Sequence, residues 1–156
     1  MICVPQLDLD FAFTVRASLA PLTAVGQAPD GLRRFVPIIG GTFAGPLLNG
    51  RVVPGSGDWQ IVRSDGVLSA EARYILETAD GVLIAVNNRG LRHAAPDVMA
   101  KLNRGEQVPP ASYYFRTAAT FEAPVASAHD WVNRTLFVAT AEREPDTAII
   151  HFFRVL

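Results

Sequence analysis

Residues 49–92 read NGRVVPGSGDWQIVRSDGVLSAEARYILETADGVLIAVNNRGLR. Three turn pairs punctuate this run: Asn49-Gly50, Asp65-Gly66 and Asp80-Gly81. Asn-Gly and Asp-Gly accept the positive φ that tight hairpins need, so the segments between them read as consecutive antiparallel strands. Those segments are Asp58 to Arg63, Val67 to Thr78 and Val82 to Arg92, with Pro54 to Gly57 as a further turn. Just upstream, Thr42 to Val53 reads as one or two strands broken at Gly45-Pro46 and Asn49-Gly50. Gly40-Gly41 permits a sharp bend or bulge after a strand over Arg33 to Ile39.

Outward from this block the pattern continues. Leu7, Leu9, Phe11, Phe13 and Val15 alternate with Asp8, Asp10, Ala12, Thr14 and Arg16, a half-buried strand with period two. Ala20 to Gly31 holds Pro21, Gly26, Pro29 and Gly31 and reads as a connection. Pro96 to Arg104 is the best helix. Its proline suits the first turn, Asp97 suits the positive end of the helix dipole, and Val98, Met99 and Leu102 form one small apolar face. Ser112 to Glu122, Thr135 to Arg143 and Thr147 to Val155 return to strand, with one helical turn placed before Trp131.

The expected fold is therefore all-β, with eight to ten strands, one short helix and a single domain over residues 1–156. So many strands in so short a chain must close or stack, because open edges invite aggregation. A closed, mainly antiparallel up-and-down β-barrel is the expectation, and a two-sheet sandwich is the alternative.

Composition narrows the function. Hydrophobic residues make up 49% and charged residues 19%, as in a globular domain. A net charge of -1 gives no global field for nucleic acid or an anionic membrane, so neither is an expected partner. The 14 Lys+Arg include a single lysine, Lys101, which favours forked guanidinium contacts to oxyanions. Cys3 stands alone, and with no basic, apolar leader at Met1 to Pro5 the expected location is cytoplasmic. The 9% aromatics and two apolar terminal strands leave surface for a homo-oligomer to bury.

A larger pattern carries a resemblance. It comprises Gly40-Gly41-Thr42-Phe43-x-Gly45-Pro46, Asp58-Trp59-Gln60, Arg73-Tyr74-x-Leu76-x-Thr78-x-Asp80-Gly81, Tyr113-Tyr114-Phe115-Arg116-Thr117, Phe121-Glu122 and Trp131-x-Asn133. From about Leu7 to Val155 the chain resembles a widespread family of small microbial proteins, catalogued as an uncharacterised family with a domain of unknown function. The resemblance implies a calycin-like antiparallel barrel with an internal cavity, and no settled activity. Glu71 stands where the pattern has aspartate, and Ala118-Ala119 follows Thr117 where proline is commoner.

Candidate site residues follow from strand faces. Tyr114, Arg116 and Glu122 share one face of their strand. Pointing inward, Arg116 would clamp a carboxylate, Tyr114 would donate a hydrogen bond or proton, and Glu122 would act as base. Pointing outward, the same residues form a solvated ladder. Glu71 and Arg73 share a face with the same two readings, Glu71 serving as a buried general base in the first. Asp58 is either a turn cap or a carboxylate at the barrel mouth, with Trp59 as core or as a flat wall for ligand. Asn88 and Arg92 belong either to a plain polar strand end or to a rim site in which Arg89 or Arg92 would hold an anionic group. Asn133, from the last motif of the resemblance, completes the candidate ligand contacts.

His93, His129 and His151 are dispersed and show no zinc spacing, so no metal is expected. No nucleophile elbow and no phosphate loop is present. Acid–base groups are the visible catalytic equipment. The expected function is cofactor-independent isomerisation, cyclisation or elimination on a small, partly apolar carbonyl or carboxylate compound. The alternative is a non-catalytic carrier or sensor of an apolar ligand.

Overall fold

The computed structural model describes all 156 residues, Met1–Leu156. Nine strands follow one another as β1 (Leu9–Leu19), β2 (Thr23–Ala28), β3 (Gly31–Ala44), β4 (Gly50–Val62), β5 (Leu68–Thr78), β6 (Leu83–His93), β7 (Tyr114–Glu122), β8 (Phe137–Arg143) and β9 (Thr147–Val155). The single α-helix, α1 (Pro96–Asn103), joins β6 to β7, and short 3-10 turns occupy Pro110–Ser112 and Asp130–Arg134.

From β3 to β9 each strand pairs antiparallel with the next, β9 pairs with β1, and β1 returns to β3. Eight strands thus close into an antiparallel barrel, as expected, and the sandwich is excluded. The ninth strand, β2, lies outside the ring and pairs with β3 alone. The sequence reads that segment as a connection. As an edge strand it has one partner and mostly exposed side chains, so it lacks the alternation that marks its neighbours.

Two further expectations are corrected. Pro54 to Gly57 is no turn, because β4 runs straight through it. Val53 pairs with Ile75 and Gly57 with Arg73, so Pro54, Gly55 and Ser56 bulge opposite Tyr74. Asn49-Gly50 is not a two-residue hairpin either, since β3 ends at Ala44 and β4 begins at Gly50. The Gly40-Gly41 bend does occur, inside β3, at the break in its pairing with β4 between Ile38 and Thr42, where β1 pairs along its other edge. Gly41 has φ +133°, and a Cβ there would stand 2.1 Å from the Arg16 carbonyl oxygen. Glycine at this position lets the barrel close.

One end of the barrel is packed solid. Phe13 on β1 meets Phe43, Phe121 and Phe152 at ring-centroid distances of 5.7, 5.6 and 5.1 Å. Phe137 packs edge-on to Phe121 at 4.7 Å, and Trp131 lies 6.0 Å from Phe137. Edge and tilted contacts of this kind suit aromatic quadrupoles and bury large areas. At the other end α1 seats Met99 and Leu102 against Leu68, Ala70, Val108 and Tyr113. No helix is long and apolar enough to cross a membrane.

Candidate functional site

Several inward positions near the α1 end carry small residues. On β5 they are Ala70 and Ala72, on β6 Gly90, on β8 Ala141 and on β9 Ala148. Register sets them beside polar inward residues: Asp58 pairs with Ala72 and Ala72 with Asn88, while Gln60 pairs with Ala70 and Gly90 with Thr117. Missing side-chain volume leaves a hollow between the aromatic plug and α1. It measures about 50 Å³ of space open to the centres of water molecules. That holds a few waters or a compact organic molecule rather than a long lipid chain.

The polar lining comes from five adjacent strands: Asp58 and Gln60 on β4, Tyr74 on β5, Asn88 and Arg92 on β6, Thr117 on β7 and Arg143 on β8. Six buried side-chain polar atoms of the chain have no hydrogen-bond partner in the protein. Five of them line this cavity: Asp58 Oδ1, Tyr74 Oη, Asn88 Oδ1, Arg92 Nε and Thr117 Oγ1. Unpaired buried polar atoms are costly, and so many on one wall mark a surface built to meet something else.

Asp58 is the only acid on that wall. Burial pushes its carboxyl above the usual carboxylate range, against the Gln60 amide, which donates to Oδ2 at 2.8 Å, and against Arg92, the Glu71 backbone and Arg143. Tyr74 is pushed well above an ordinary phenol by burial and by the Asp58 charge, so it stays protonated. Burial, then Arg34 and Arg143, lower the Arg92 guanidinium to about 10, and its Nη2 donates to Asn103 Oδ1 on α1 at 3.3 Å. Its guanidinium also lies 5.6 Å from the Phe115 ring centroid. Behind the wall Arg34 donates to Gln60 Oε1 at 2.6 and 3.2 Å and to the Asn103 carbonyl at 3.4 Å. Gln60, held from one side by Arg34, is thereby fixed with its amide N–H toward Asp58. The Arg143 backbone N–H donates to Tyr113 Oη at 2.9 Å.

The structure separates the residues expected from sequence into two groups. It brings Asp58, Asn88 and Arg92 together in the cavity. The two β6 residues are not at a rim: they sit on the inner face of a continuous strand whose sheet neighbours fix their phase. Glu71, Arg73, Arg116, Tyr114, Glu122 and Trp59 point away from it. On β5 the inward phase belongs to Tyr74 and Leu76, so Glu71 and Arg73 face outward. Glu71 there meets Arg89 at 3.4 Å and Arg73 at 4.0 Å. On β7 the inward phase belongs to Phe115, Thr117, Ala119 and Phe121. Arg116 instead lies over the exposed Tyr114 ring at 5.5 Å, and Tyr114 stacks on His93 at 4.7 Å. Glu122 is exposed on the same outer face. Trp59 is 49% exposed and packs on Phe35 at 4.6 Å. Asn133 sits at the packed end, where it pins Ala123 through bonds of 2.8 and 2.9 Å. The expectation that Glu71 and Arg116 lie inside the barrel is thus corrected by one fact, strand phase.

Sequence reasoning missed Gln60, Tyr74, Thr117 and Arg143. For three of them a signal is present. Each stands in step, two residues apart, with apolar neighbours of its strand: Tyr74 with Leu76, Thr117 with Ala119 and Phe121, Arg143 with Ala141 and Ala139. A polar residue in phase with a core face is the informative one.

A family described as Protein of unknown function (DUF3237) matches residues 7–155. A UPF0311 protein of Rhodopseudomonas palustris is 37% identical over 152 residues, covering 97% of this chain and 99% of that one. The crystal structure of the conserved protein of unknown function from that organism matches with a TM-score of 0.93 at 36% identity, covering 98% of this chain and all of the other. A beta-barrel like protein of Acinetobacter baumannii matches over both whole chains with a TM-score of 0.85 at 35% identity. A hydroalkoxylation enzyme of Penicillium herquei is 29% identical over 79 residues, 51% of this chain and 52% of that one. An enzyme structure from the same fungus shares the fold over both whole chains, with a TM-score of 0.73 at 20% identity. A barrel with an internal cavity and a distant enzyme neighbour fits small-molecule binding.

Proposed function

The chain belongs to the family described as Protein of unknown function (DUF3237), and we propose that it is a cofactor-independent acid–base enzyme. Its substrate is a small, partly apolar carbonyl or carboxylate compound. Its reaction is an isomerisation, cyclisation or elimination in which Asp58 moves the proton. One observation carries this reading: Asp58 is a buried carboxyl with a free Oδ1 on a wall that holds four other unpaired polar atoms.

The chemistry needs a group that both takes and returns a proton. A carboxyl whose proton affinity is raised by burial is better suited to both roles than an ordinary carboxylate. In an isomerisation, Asp58 accepts a proton from the carbon beside a carbonyl and, now a carboxylic acid, returns it at another atom. In a cyclisation, the proton leaves a hydroxyl and is delivered to the carbon next to the new C–O bond. Either cycle regenerates the carboxylate. Tyr74 and Thr117 supply hydroxyls for the substrate oxygen, and Arg92 and Arg143 stabilise negative charge that develops on it. The addition of a hydroxyl across a double bond, which the name of the Penicillium herquei relative describes, belongs to the same proton-relay class. An apolar-ligand carrier is less well supported, since it would leave the five unpaired polar atoms unmet.

The test works whatever the product is. Purified protein is incubated in D2O with a panel of small ketones, enols, lactones and hydroxyalkenes. Deuterium uptake and new products are followed by NMR and mass spectrometry. Protein-dependent exchange or conversion that disappears in Asp58→Asn, with melting temperature retained, supports the reading. Conversion that survives Asp58→Asn refutes it.

A further inference from the structure

The chain carries 14 Lys+Arg against 15 Asp+Glu, nearly balanced overall. The hollow end of the barrel is not balanced. Arg34, Arg92 and Arg143 gather there around one acid, Asp58. The eight arginine–carboxylate pairs and two histidine–carboxylate contacts of the protein all lie elsewhere and include none of these four residues. The three guanidinium groups donate only to neutral acceptors. Arg34 reaches Gln60 and the Asn103 carbonyl, Arg92 reaches Asn103 Oδ1, and Arg143 Nη1 reaches the Glu144 and Pro145 carbonyls at 2.7 and 3.4 Å. Arg34 and Arg92 are 6% and 2% exposed, and Arg92 Nε has no partner at all.

Buried charge is normally paired, because leaving water is costly unless an opposite charge replaces it. Burial lowers all three guanidinium groups and repulsion by neighbouring arginines lowers Arg34 and Arg92 further, yet Arg92 at about 10 remains charged at neutral pH. The cavity is therefore a cationic chamber inside a slightly anionic protein. A cationic ligand would be repelled, and a neutral one would leave the excess charge unanswered.

We propose that the ligand of this cavity is a small organic oxyanion, its charged oxygens held by Arg92 and Arg143 and its apolar body laid against Leu19, Ile38, Phe115 and Ile150. This deepens the functional reading above and rests on the same cavity being the working site. A carboxylate suits a guanidinium fork, which offers two parallel N–H donors to two oxygens. An enolate or phenolate presents the same charge through one oxygen. Asp58, the lone negative group on the wall, then faces the bound anion, whose charge raises its proton affinity further and suits it to take up a proton from the substrate and return it.

The experiment uses matched pairs, benzoate with benzamide and phenylacetate with phenylacetamide, titrated calorimetrically into the whole protein at neutral pH and low salt, with melting temperature as a second readout. Each acid that binds is expected to do so at least about tenfold more tightly than its amide. Arg143→Gln should abolish that preference and Arg143→Lys should keep part of it. Asp58→Asn should tighten the acids several-fold by removing a like charge. Equal affinity of acids and amides overturns the proposal. So does a preference that survives Arg143→Gln, and so does failure of every acid to raise the melting temperature at roughly 10 mM. The two readings fail separately. If Asp58→Asn tightens the acids but leaves turnover intact, the anion site stands and the acid–base role falls. If acids and amides bind alike while Asp58→Asn abolishes turnover, the reverse holds.

Discussion

The two ends of the barrel are built by the same strands in the same phase, yet they do opposite work. Along β6 the inward residues run Ile84, Val86, Asn88, Gly90 and Arg92, and along β7 they run Phe121, Ala119, Thr117 and Phe115. Along β8 they run Phe137, Ala139, Ala141 and Arg143. Phe115 apart, these runs turn from large and apolar to small or polar within a few residues. Where the side chains are large, they fill the barrel and satisfy one another. Where they are small or polar, they leave a hollow with unmet hydrogen bonds. A barrel of this size can thus anchor its stability at one mouth and keep the other free for chemistry, because pairing through the backbone is the same at both.

The largest effect should come from the packed end. Phe13 is fully buried among four other phenylalanines. Phe13→Ala should cost about 3–5 kcal/mol in urea unfolding. A cost below ~1 kcal/mol would mean the aromatic plug is not where stability resides.

At the hollow end the sign should reverse. Asp58→Asn should reduce turnover by about 10²–10⁴-fold while raising the melting temperature at neutral pH. The folded carboxyl titrates above its ordinary 3.8, so the fold favours its protonated form. Its contribution to stability is full below 3.8 and is lost as pH rises through the raised value. The asparagine variant, which cannot ionise, should gain on the wild type as pH rises and match it in acid. Melting curves across pH check this, and a variant that melts lower than the wild type at neutral pH would break the contrast between the ends.

A smaller effect sharpens it. Tyr74 Oη and Thr117 Oγ1 are buried without protein partners. Tyr74→Phe and Thr117→Val should leave stability unchanged or raise it by up to about 1 kcal/mol, since only an unmet polar atom is removed. A loss of ~2 kcal/mol in either would mean that the hydroxyl is bonded in solution.

The smallest effect belongs to the outer face. Glu71→Gln and Arg116→Ala should change stability by no more than about 0.5 kcal/mol and leave turnover unaltered, because both side chains lie outside the cavity. Loss of turnover in either would return the chemistry to the outer face.

The sequence is legible where backbone geometry is local. Asp65-Gly66 and Asp80-Gly81 turn where expected, and Pro96, Asp97, Met99 and Leu102 make the expected helix. The same local logic fails at Pro54 to Ser56, where a turn-rich stretch is a bulge held by pairing on both sides. It also fails at Thr23–Ala28, an edge strand without alternation. Asp58 stands out in the sequence beside the turn-rich stretch Pro54 to Gly57. Tyr74 and Thr117 do not, because more conspicuous charges, Arg73 and Arg116, stand next to them in the opposite phase.

The sequence by itself determined the approximate strand count, the short helix and the family resemblance, and favoured a closed antiparallel barrel over a sandwich. Periodicity, turn pairs and helix-end chemistry are written residue by residue. Which face of each strand points inward was decided only by tertiary structure. Period two gives two equivalent faces, and closure chooses between them by burying the set that packs together across strands distant in sequence. That choice put Glu71 and Arg116 in water. It also gathered Asp58, Arg92 and Arg143 from three strands into one cavity, because β4, β6 and β8 meet only when the barrel closes.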